Sequence, residues 1–334
     1  MLYLMNVTEF NQSDHCDHFS CPERSVSPAV YILLYVCSAA VVLLTMCGNL
    51  LIIISVLHFK QLHTPTNMLV LSLAVSDFLV GALVMPPMLI WMIESCWTFG
   101  RVFCISFLFI AGIIMTISIY NVALIAVDRY LALSNPFLYM SSISRRTICI
   151  VVYSNWCVCI MYVTSFYYFN GSFENSVMCP GECLFIVNDV WTVIDIIYSF
   201  IFPLSVIIIL YTQVFVIAKK HATAIRDLSN HTWPKTQKIT SYSMKSERKA
   251  AKVLGILVSV FVVCLLPYFI YSLLGYAIGI QTETFQKVTF WIYLNSTINP
   301  VIYALFYPWF RRSVKLIITL QIFLTDSELI NVLS

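Results

Sequence analysis

Residues 190–220 read VWTVIDIIYSFIFPLSVIIILYTQVFVIAKK, an apolar run with a single charged side chain, Asp195, before two lysines close it. About 20 residues of α-helix cross a bilayer, so this run predicts a membrane-spanning helix. A carboxylate inside such a helix costs about 2.5 kcal/mol or more, and it usually faces a bundle interior and meets a positive partner. Apart from Arg129 at a helix end, no Lys or Arg lies inside the other apolar runs. We therefore expect the positive partner of Asp195 to be a ligand.

The rest of the chain repeats this apolar pattern. Of its 334 residues, 60% are hydrophobic and 10% are charged, with a mean hydropathy of +0.86. Backbone polar groups in lipid must be satisfied within the protein, and a barrel would show short alternating segments instead. The sequence therefore predicts an all-α membrane protein, a bundle of seven transmembrane helices. The charge-poor runs are Ser25 to Phe59, Gln61 to Ile93, Val102 to Val127, Thr147 to Phe173, Val190 to Ala218, Val253 to Thr282 and Val288 to Phe310.

The helices are expected to form one domain with a tail on each side. We place an extracellular tail at residues 1–29, the seven-transmembrane domain at residues 30–308, and an amphipathic helix with a cytoplasmic tail at residues 309–334. The segment PWFRRSVKLII, from Pro308, predicts this short amphipathic eighth helix on the inner membrane face, where its arginines would meet anionic headgroups.

Positive charges set the expected orientation. Sixteen of the 19 Lys and Arg residues follow the first, third, fifth and seventh runs, and three lie on the other side. By the positive-inside rule, the N-terminus is then extracellular. The sequons at Asn6, Asn11 and Asn170 lie on this outer side and are expected to be glycosylated.

Six of the twelve cysteines also lie on the predicted outer side, where disulfides persist. Cys104 opens the third run and Cys183 precedes the fifth, so a bridge between them would hold a loop over the bundle mouth. Cys21 and Cys179 are candidates for a second bridge, and whether Cys16 or Cys21 takes part is left open. Zinc binding is the weaker alternative, because the outer histidines lack ligand spacing.

Each helix also carries a motif by which the chain resembles the rhodopsin-like (class A) G-protein-coupled receptors. The motifs, in order, are Gly48-Asn49, Leu71-Ser-Leu-Ala-Val-Ser-Asp77, Asp128-Arg129-Tyr130, Trp156, Pro203 with Tyr211, Phe261 with Cys264-Leu-Leu-Pro267, and Asn299-Pro300-Val-Ile-Tyr303. Within that superfamily the chain is similar to the trace amine-associated receptors, above all in residues 295–310, NSTINPVIYALFYPWF. The likeness to fish-type members implies an olfactory receptor.

The resemblance implies roles for two groups of residues. In the family, a polar cluster in mid-bundle holds a sodium ion, and a water-filled network is the alternative. The matching residues are Asp77, Ser118, Asn295, Ser296 and Asn299. Residues implied in activation and G-protein coupling are Asp128, Arg129, Tyr130, Ile119, Pro203, Tyr211, Phe261 and Tyr303.

Two positions depart from the family pattern. Most amine receptors carry an aspartate seven residues after the bridging cysteine, where this chain has Ala111 followed by Gly112. Asp195 matches a position at which some trace amine receptors carry an acid. The second departure is Leu265, which stands where the family usually has a tryptophan. The loss of that tryptophan puts the usual activation trigger in doubt.

Candidates for the pocket lining by family position are Met115, Thr116, Tyr268, Phe269, Thr289 and Tyr293.

An ammonium ion can donate three charge-assisted hydrogen bonds to a carboxylate. Together with this pairing, the resemblance implies a plasma-membrane receptor that binds an organic amine outside and activates a heterotrimeric G protein inside. The family favours a stimulatory G protein and cyclic AMP, and a mono- or a diamine ligand remains open. The alternative is a receptor of the same fold for a non-amine ligand, in which Asp195 is structural.

Other functional classes are disfavoured. A light receptor would need a lysine inside the seventh helix, and transporters tend to show repeats and broken spans that this chain lacks. No nucleophile–base pair or metal-spaced cluster points to an enzyme, so we assign no catalytic residue. No cofactor is expected apart from a bound sodium ion, and no nucleic-acid partner is expected.

Overall fold

The structure is a computed structural model. It describes residues 21, 27–170, 181–183, 187, 189–229, 255–274, 282–324 and 326–333. The expected glycosylation sites Asn6 and Asn11 lie outside the described residues, as do Cys16 and Cys179.

The described part of the chain is helical, which confirms the predicted all-α class. Six of its helices are long and apolar enough to cross a membrane. A further helix of 25 residues completes the bundle, and a short one follows it. The helices are α1 (Pro28–His58), α2 (Pro65–Glu94), α3 (Gly100–Ser134), α4 (Arg145–Phe169), α5 (189–229), α6 (Gly255–Leu274), α7 (Thr282–Phe306) and α8 (Pro308–Ile318).

Local sequence explains where several helices begin. Pro28 and Pro65 stand in the first turns of α1 and α2, where a missing N–H costs nothing. The Thr64 side chain accepts a hydrogen bond of 3.3 Å from the Asn67 N–H and so caps α2. Ser144 caps α4 in the same way through the Thr147 N–H, at 3.1 Å.

Two helices each contain one π-helical turn, and a proline follows each turn closely. In α2 the turn is Val80–Val84, before Pro86, and in α5 it is Ile197–Ile201, before Pro203. Proline donates no hydrogen bond and clashes with the carbonyl four residues earlier, and a wider turn relieves both problems. The π turn in α5 begins two residues after Asp195, so it helps to set the direction of that side chain.

The central helix of the bundle is α3, which contacts α2, α4 and α5, while α1 packs against α2 and α7. The approach of α1 to α7 is close at Gly48, where an added Cβ would lie 2.7 Å from Cβ of Pro300. Exposed apolar side chains such as Ile32, Leu43 and Ile208 cover outward faces of α1 and α5. Such a surface suits contact with lipid.

Two disulfides lie at the end of the bundle where α3 begins, here called the cysteine end. The expected bridge between Cys104 and Cys183 is present, and beside it the Trp97 N–H donates a 2.7 Å hydrogen bond to the Gly181 carbonyl. The expected partnership of Cys21 with Cys179 is wrong, because Cys21 is bonded to Cys96.

The correction has a simple geometric reason. Ser95 ends α2 in a left-handed conformation, with φ of 52°, and Cys96 follows it directly at the cysteine end. This placement leaves its Cα 5.4 Å from that of Cys21, within the usual range for a disulfide. The bridge therefore ties the segment before α1 to the end of α2.

The opposite end of the bundle, here called the arginine end, contains Arg129 and α8. The helix α8 packs against α1 and α7. Its Trp309 and Phe310 are buried, whereas Arg311 and Arg312 are exposed. Its position on a membrane surface stays a prediction.

Candidate functional site

A small cavity lies between α3, α4, α5, α6 and α7. Its volume is about 40 Å³, counted as the space open to the centre of a water molecule. One water needs roughly 10–15 Å³ on this scale, so the cavity has room for a few waters or a small ammonium group. The lining residues are Gly112, Met115, Thr116, Ile119, Tyr162, Val163, Phe166, Tyr167, Asp195, Ser199, Tyr268, Phe269 and Ile292.

Asp195 supplies the carboxylate of this cavity. Its Oδ1 accepts a hydrogen bond of 3.0 Å from the Tyr162 hydroxyl and one of 2.8 Å from the Ser199 hydroxyl. Ser199 lies four residues later on the same helix, whereas Tyr162 belongs to α4. A carboxylate offers about four lone-pair positions, and these bonds use two of them.

Aromatic rings form much of the wall around this carboxylate. The Tyr162 ring stacks on Tyr198 with a centroid distance of 3.7 Å, and Phe200 stacks on Phe269 at 3.6 Å. The Tyr120 hydroxyl donates a 2.9 Å hydrogen bond to the carbonyl of Tyr198, inside the π turn of α5. Ring faces attract cations, so the cavity combines a negative charge with aromatic rings that favour a bound cation.

On α3, small residues stand where a larger acid would be expected in the family. Gly112 lines the cavity, and a Cβ added to it would meet Cγ1 of Val163 at 3.5 Å. Ala111 is 1% exposed and does not line the cavity. The negative charge in the lining is therefore on α5.

The structure brings most, but not all, of the predicted lining residues together. Asp195, Met115, Thr116, Tyr268 and Phe269 line the cavity. Thr289 and Tyr293, predicted with them, are buried in α7 but do not line it, because α7 reaches the cavity through Ile292.

The prediction missed the contribution of α4 and one residue each of α5 and α7. Ser199 was accessible to sequence reasoning, because residues four apart share a helix face and a buried carboxylate needs donors. The α4 residues gave no such signal, since their meeting with Asp195 depends on how α4 packs. The missed residues are Tyr162, Val163, Phe166, Tyr167, Ser199 and Ile292.

Deeper in the bundle, Asp77 forms a polar cluster. Its Oδ1 accepts hydrogen bonds from the hydroxyls of Ser118, at 3.3 Å, and Ser296, at 2.7 Å. Its Oδ2 accepts one of 2.7 Å from the Asn299 amide nitrogen. Asn295 is buried, and its Oδ1 has no hydrogen-bond partner among the described residues. Carboxylate, hydroxyl and amide oxygens are hard ligands, so this set of residues fits a sodium ion.

At the arginine end, Asp128 holds Arg129. The guanidinium Nε lies 2.9 Å from Oδ2 of Asp128, and a second guanidinium nitrogen also contacts that oxygen. Asp128 further accepts hydrogen bonds from Thr66, at 2.9 Å, and from Tyr139, at 2.6 Å. Burial, and the bond to Asp128, raise the pKa of the Tyr139 hydroxyl, so it remains a donor at neutral pH. Tyr130 is half-buried beside this pair.

The other residues implied in activation lie inside the bundle. Ile119 and Phe261 belong to one apolar core, and Pro203 is buried. Tyr211 and Tyr303 have buried hydroxyls without a hydrogen-bond partner among the described residues. Ile119 also lines the cavity, so one side chain belongs to both the cavity wall and the core.

Comparison with known proteins gives a consistent result over nearly the whole chain. The family model described as "7 transmembrane receptor (rhodopsin family)" matches residues 48–303. The chain is 37% identical to Trace amine-associated receptor 13c of Danio rerio, over 98% of this chain and 98% of that protein. It is 38% identical to Trace amine-associated receptor 6 of Pan troglodytes, over 94% and 93%. It is 37% identical to Trace amine-associated receptor 4 of Mus musculus, over 92% and 91%.

Proposed function

Since the chain belongs to the trace amine-associated receptors of the rhodopsin family, which are receptors and not enzymes, we propose that it senses an organic amine at the plasma membrane. The relatives are named for trace amines, which supports this ligand class. The proposal includes an olfactory role and signalling through a heterotrimeric G protein of the stimulatory type, with cyclic AMP as the product.

The observation that carries the proposal is the carboxylate of Asp195 in an aromatic-walled cavity. An ammonium group there would donate charge-assisted hydrogen bonds to the carboxylate. The C–H groups next to the nitrogen would lie against ring faces. Low dielectric strengthens the attraction between the two charges. The hydroxyls of Tyr162 and Ser199 hold the carboxylate in position for this contact.

The size of the cavity limits the part of the ligand that fits without rearrangement. About 40 Å³ accommodates an ammonium group with small substituents. A longer alkyl tail, directed along α3 towards α7, would require the wall to rearrange. This arrangement favours small alkyl amines.

The proposed orientation places the cysteine end outside and the arginine end in the cytoplasm. Sixteen of the 19 Lys and Arg residues lie on the predicted inner side, which supports it. Disulfides form in an oxidising compartment, and both described bridges are at the cysteine end. An amine would then enter from outside, and the G protein would meet the end that contains Arg129.

In the proposed mechanism, the amine shifts an equilibrium between resting and active bundles because it binds the active one more tightly. Ile119 lines the cavity and packs in the same core as Phe261 of α6, so a change at the cavity wall reaches the core. We propose that α6 then moves outward and that Arg129 leaves Asp128 to meet the G protein. The Asp77 cluster would hold a sodium ion through the oxygens of Asp77, Ser118, Ser296 and Asn295.

A substitution at Asp195 tests the proposal. Cells that express the wild type or Asp195→Asn would be screened for cyclic AMP against primary to tertiary alkyl amines, at equal surface expression. We expect potency to fall by about tenfold to a hundredfold, since a hydrogen bond to a charged group contributes about 1.5–3 kcal/mol. Asp326→Asn is the matched control, because Asp326 is an exposed carboxylate at the arginine end. The wild-type response should also fall once the pH exceeds the pKa of the amine.

A second candidate function is a receptor of the same fold for a non-amine ligand. The bonds that Asp195 accepts from Tyr162 and Ser199 favour it, because a carboxyl group held by its own helix and by a neighbouring one can be purely structural. Equal amine responses from the wild type and Asp195→Asn would support this candidate and exclude the first one.

A further inference from the structure

The chain turns back on itself after α8. Leu320 and Asp326 both adopt left-handed conformations, with φ of 57° and 60°, and each introduces a sharp change of direction. As a result, residues 320–333, here called the return segment, contact the loop between α1 and α2. Thr325 alone within 320–333 lies outside the described residues.

Among the described residues, three polar contacts join the return segment to α1 and this loop. His58 Nε2 lies 3.0 Å from the Ser327 hydroxyl oxygen, which itself donates a 2.6 Å bond to the Ile322 carbonyl. Ser327 therefore accepts from the histidine ring. Lys60 forms an ion pair with Glu328, and the N–H of Val332 donates to the Gln61 side-chain oxygen at 3.3 Å.

Apolar burial accompanies these bonds. Val332 is 0% exposed and belongs to the same core as Phe59 and Leu62, which are also 0% exposed. The Lys60–Glu328 pair is about half exposed, and ion pairs of that kind contribute little. The burial of Val332 is thus the main source of affinity between the return segment and the loop, while the polar contacts fix the register.

The same loop leads directly to the residues that hold Arg129. The Asn67 side chain donates a 2.9 Å hydrogen bond to the Leu62 carbonyl, which closes the loop against the start of α2. One residue earlier, the Thr66 hydroxyl donates to Asp128 at 2.9 Å and also contacts Arg129. A continuous set of contacts therefore runs from Val332, through the loop, to the Asp128–Arg129 pair.

We propose that the loop between α1 and α2 is a docking site for the chain's own return segment, and that the docked segment stabilises the resting state. Docking holds the loop, and the loop holds Thr66 against Asp128 and Arg129. Release of the segment loosens the contact of Thr66 with Asp128 and Arg129. The activity of the receptor without ligand then rises. The inference rests on the proposed coupling to a G protein, but it does not depend on the identity of the amine.

Two measurements on the purified receptor in nanodiscs test it without added amine. Hydrogen–deuterium exchange of residues 59–64 reports docking, and binding of a non-hydrolysable GTP analogue to a panel of G proteins reports basal activity. We expect Val332→Asp, and a chain that ends at Thr319, to exchange faster and to raise basal activity about threefold. Leu333→Asp is the matched control, because Leu333 is 58% exposed, and it should leave both measurements unchanged.

The charge pair provides a second comparison. Lys60→Glu and Glu328→Lys should each speed exchange slightly, and the double reversal should restore the wild-type rate. If Val332→Asp and the shortened chain both exchange at the wild-type rate, the docking site is wrong. If exchange rises in them but basal activity does not, while amine still stimulates the wild type, the role in the resting state is wrong. A wild type that no amine stimulates would count against the proposed function instead, and exchange would still test docking.

Discussion

The hydroxyl of Tyr162 in α4 donates a 3.0 Å hydrogen bond to Oδ1 of Asp195 in α5. The ring of Tyr162 is itself fixed by its stack on Tyr198, three residues beyond Asp195. The two contacts tie α4 to both sides of the point where the π turn begins. Asp195 therefore owes its direction to a neighbouring helix as well as to its own.

Tyr162→Phe should weaken amine potency by about tenfold. The ring and its stack on Tyr198 remain, but the carboxylate loses one of the hydroxyls that orient it, a bond that contributes about 1.5–3 kcal/mol. Concentration–response curves at equal surface expression measure the effect. Tyr168→Phe on the same helix is the control, since Tyr168 is exposed and should tolerate the change. Unchanged potency in Tyr162→Phe would mean that the acid is oriented without the Tyr162 hydroxyl.

Asp77→Asn should remove a stabilisation by sodium. A ligand that binds the folded state raises its stability in proportion to the logarithm of its concentration, so the wild type should melt about 2–4 °C higher in NaCl than in KCl. The variant should melt at one temperature in both salts. Asp326→Asn should keep the wild-type difference. If the wild type shows no difference between the salts, the cluster holds water instead.

Gly48→Ala should destabilise the receptor by about 1–3 kcal/mol, because the new methyl group would lie 2.7 Å from Cβ of Pro300. The effect would be measured as a lower melting temperature in detergent. Gly255→Ala is the control, since a Cβ at that position meets nothing within 4 Å. Equal melting temperatures for both variants would show that α1 can move away from α7 at little cost.

Leu265→Trp would restore the residue that the family usually carries, and yet it should lower stability by about 1–3 kcal/mol. Leu265 is 2% exposed and fully packed, so the larger ring has no space. Leu266→Trp is the control on the same helix, because Leu266 is 41% exposed. A higher melting temperature for Leu265→Trp would indicate that the core readily rearranges around the ring.

The helical class and the cavity acid were predictable because both depend on local chemistry. Membrane spans follow from hydrophobicity, and Asp195 is conspicuous because an ionised group inside such a span needs compensation. The members of the Asp77 cluster were predictable only through the family resemblance, and Ser118, Ser296 and Asn299 all contact the acid.

Contacts between distant segments were not predictable in this way. Nothing in the sequence near Tyr162 indicates that α4 turns it towards Asp195, and Thr289 was placed by analogy on a face that the cavity does not reach. The bond between Cys21 and Cys96 likewise depends on where α2 ends, which no spacing of cysteines reveals. The contact of Val332 with the loop between α1 and α2 falls in the same class.

The direction in which the Asp195 side chain points depends on the number of residues in the π turn Ile197–Ile201. Shortening it by one residue would swing everything before it by about 100° around the axis of α5, because that is the angle that one residue occupies in an α-helix. The hydrophobicity of the span would hardly change, but the acid would leave the cavity. We therefore expect that deleting one residue of this turn other than Ser199 would abolish the proposed preference for amines, although every side chain of the cavity is retained.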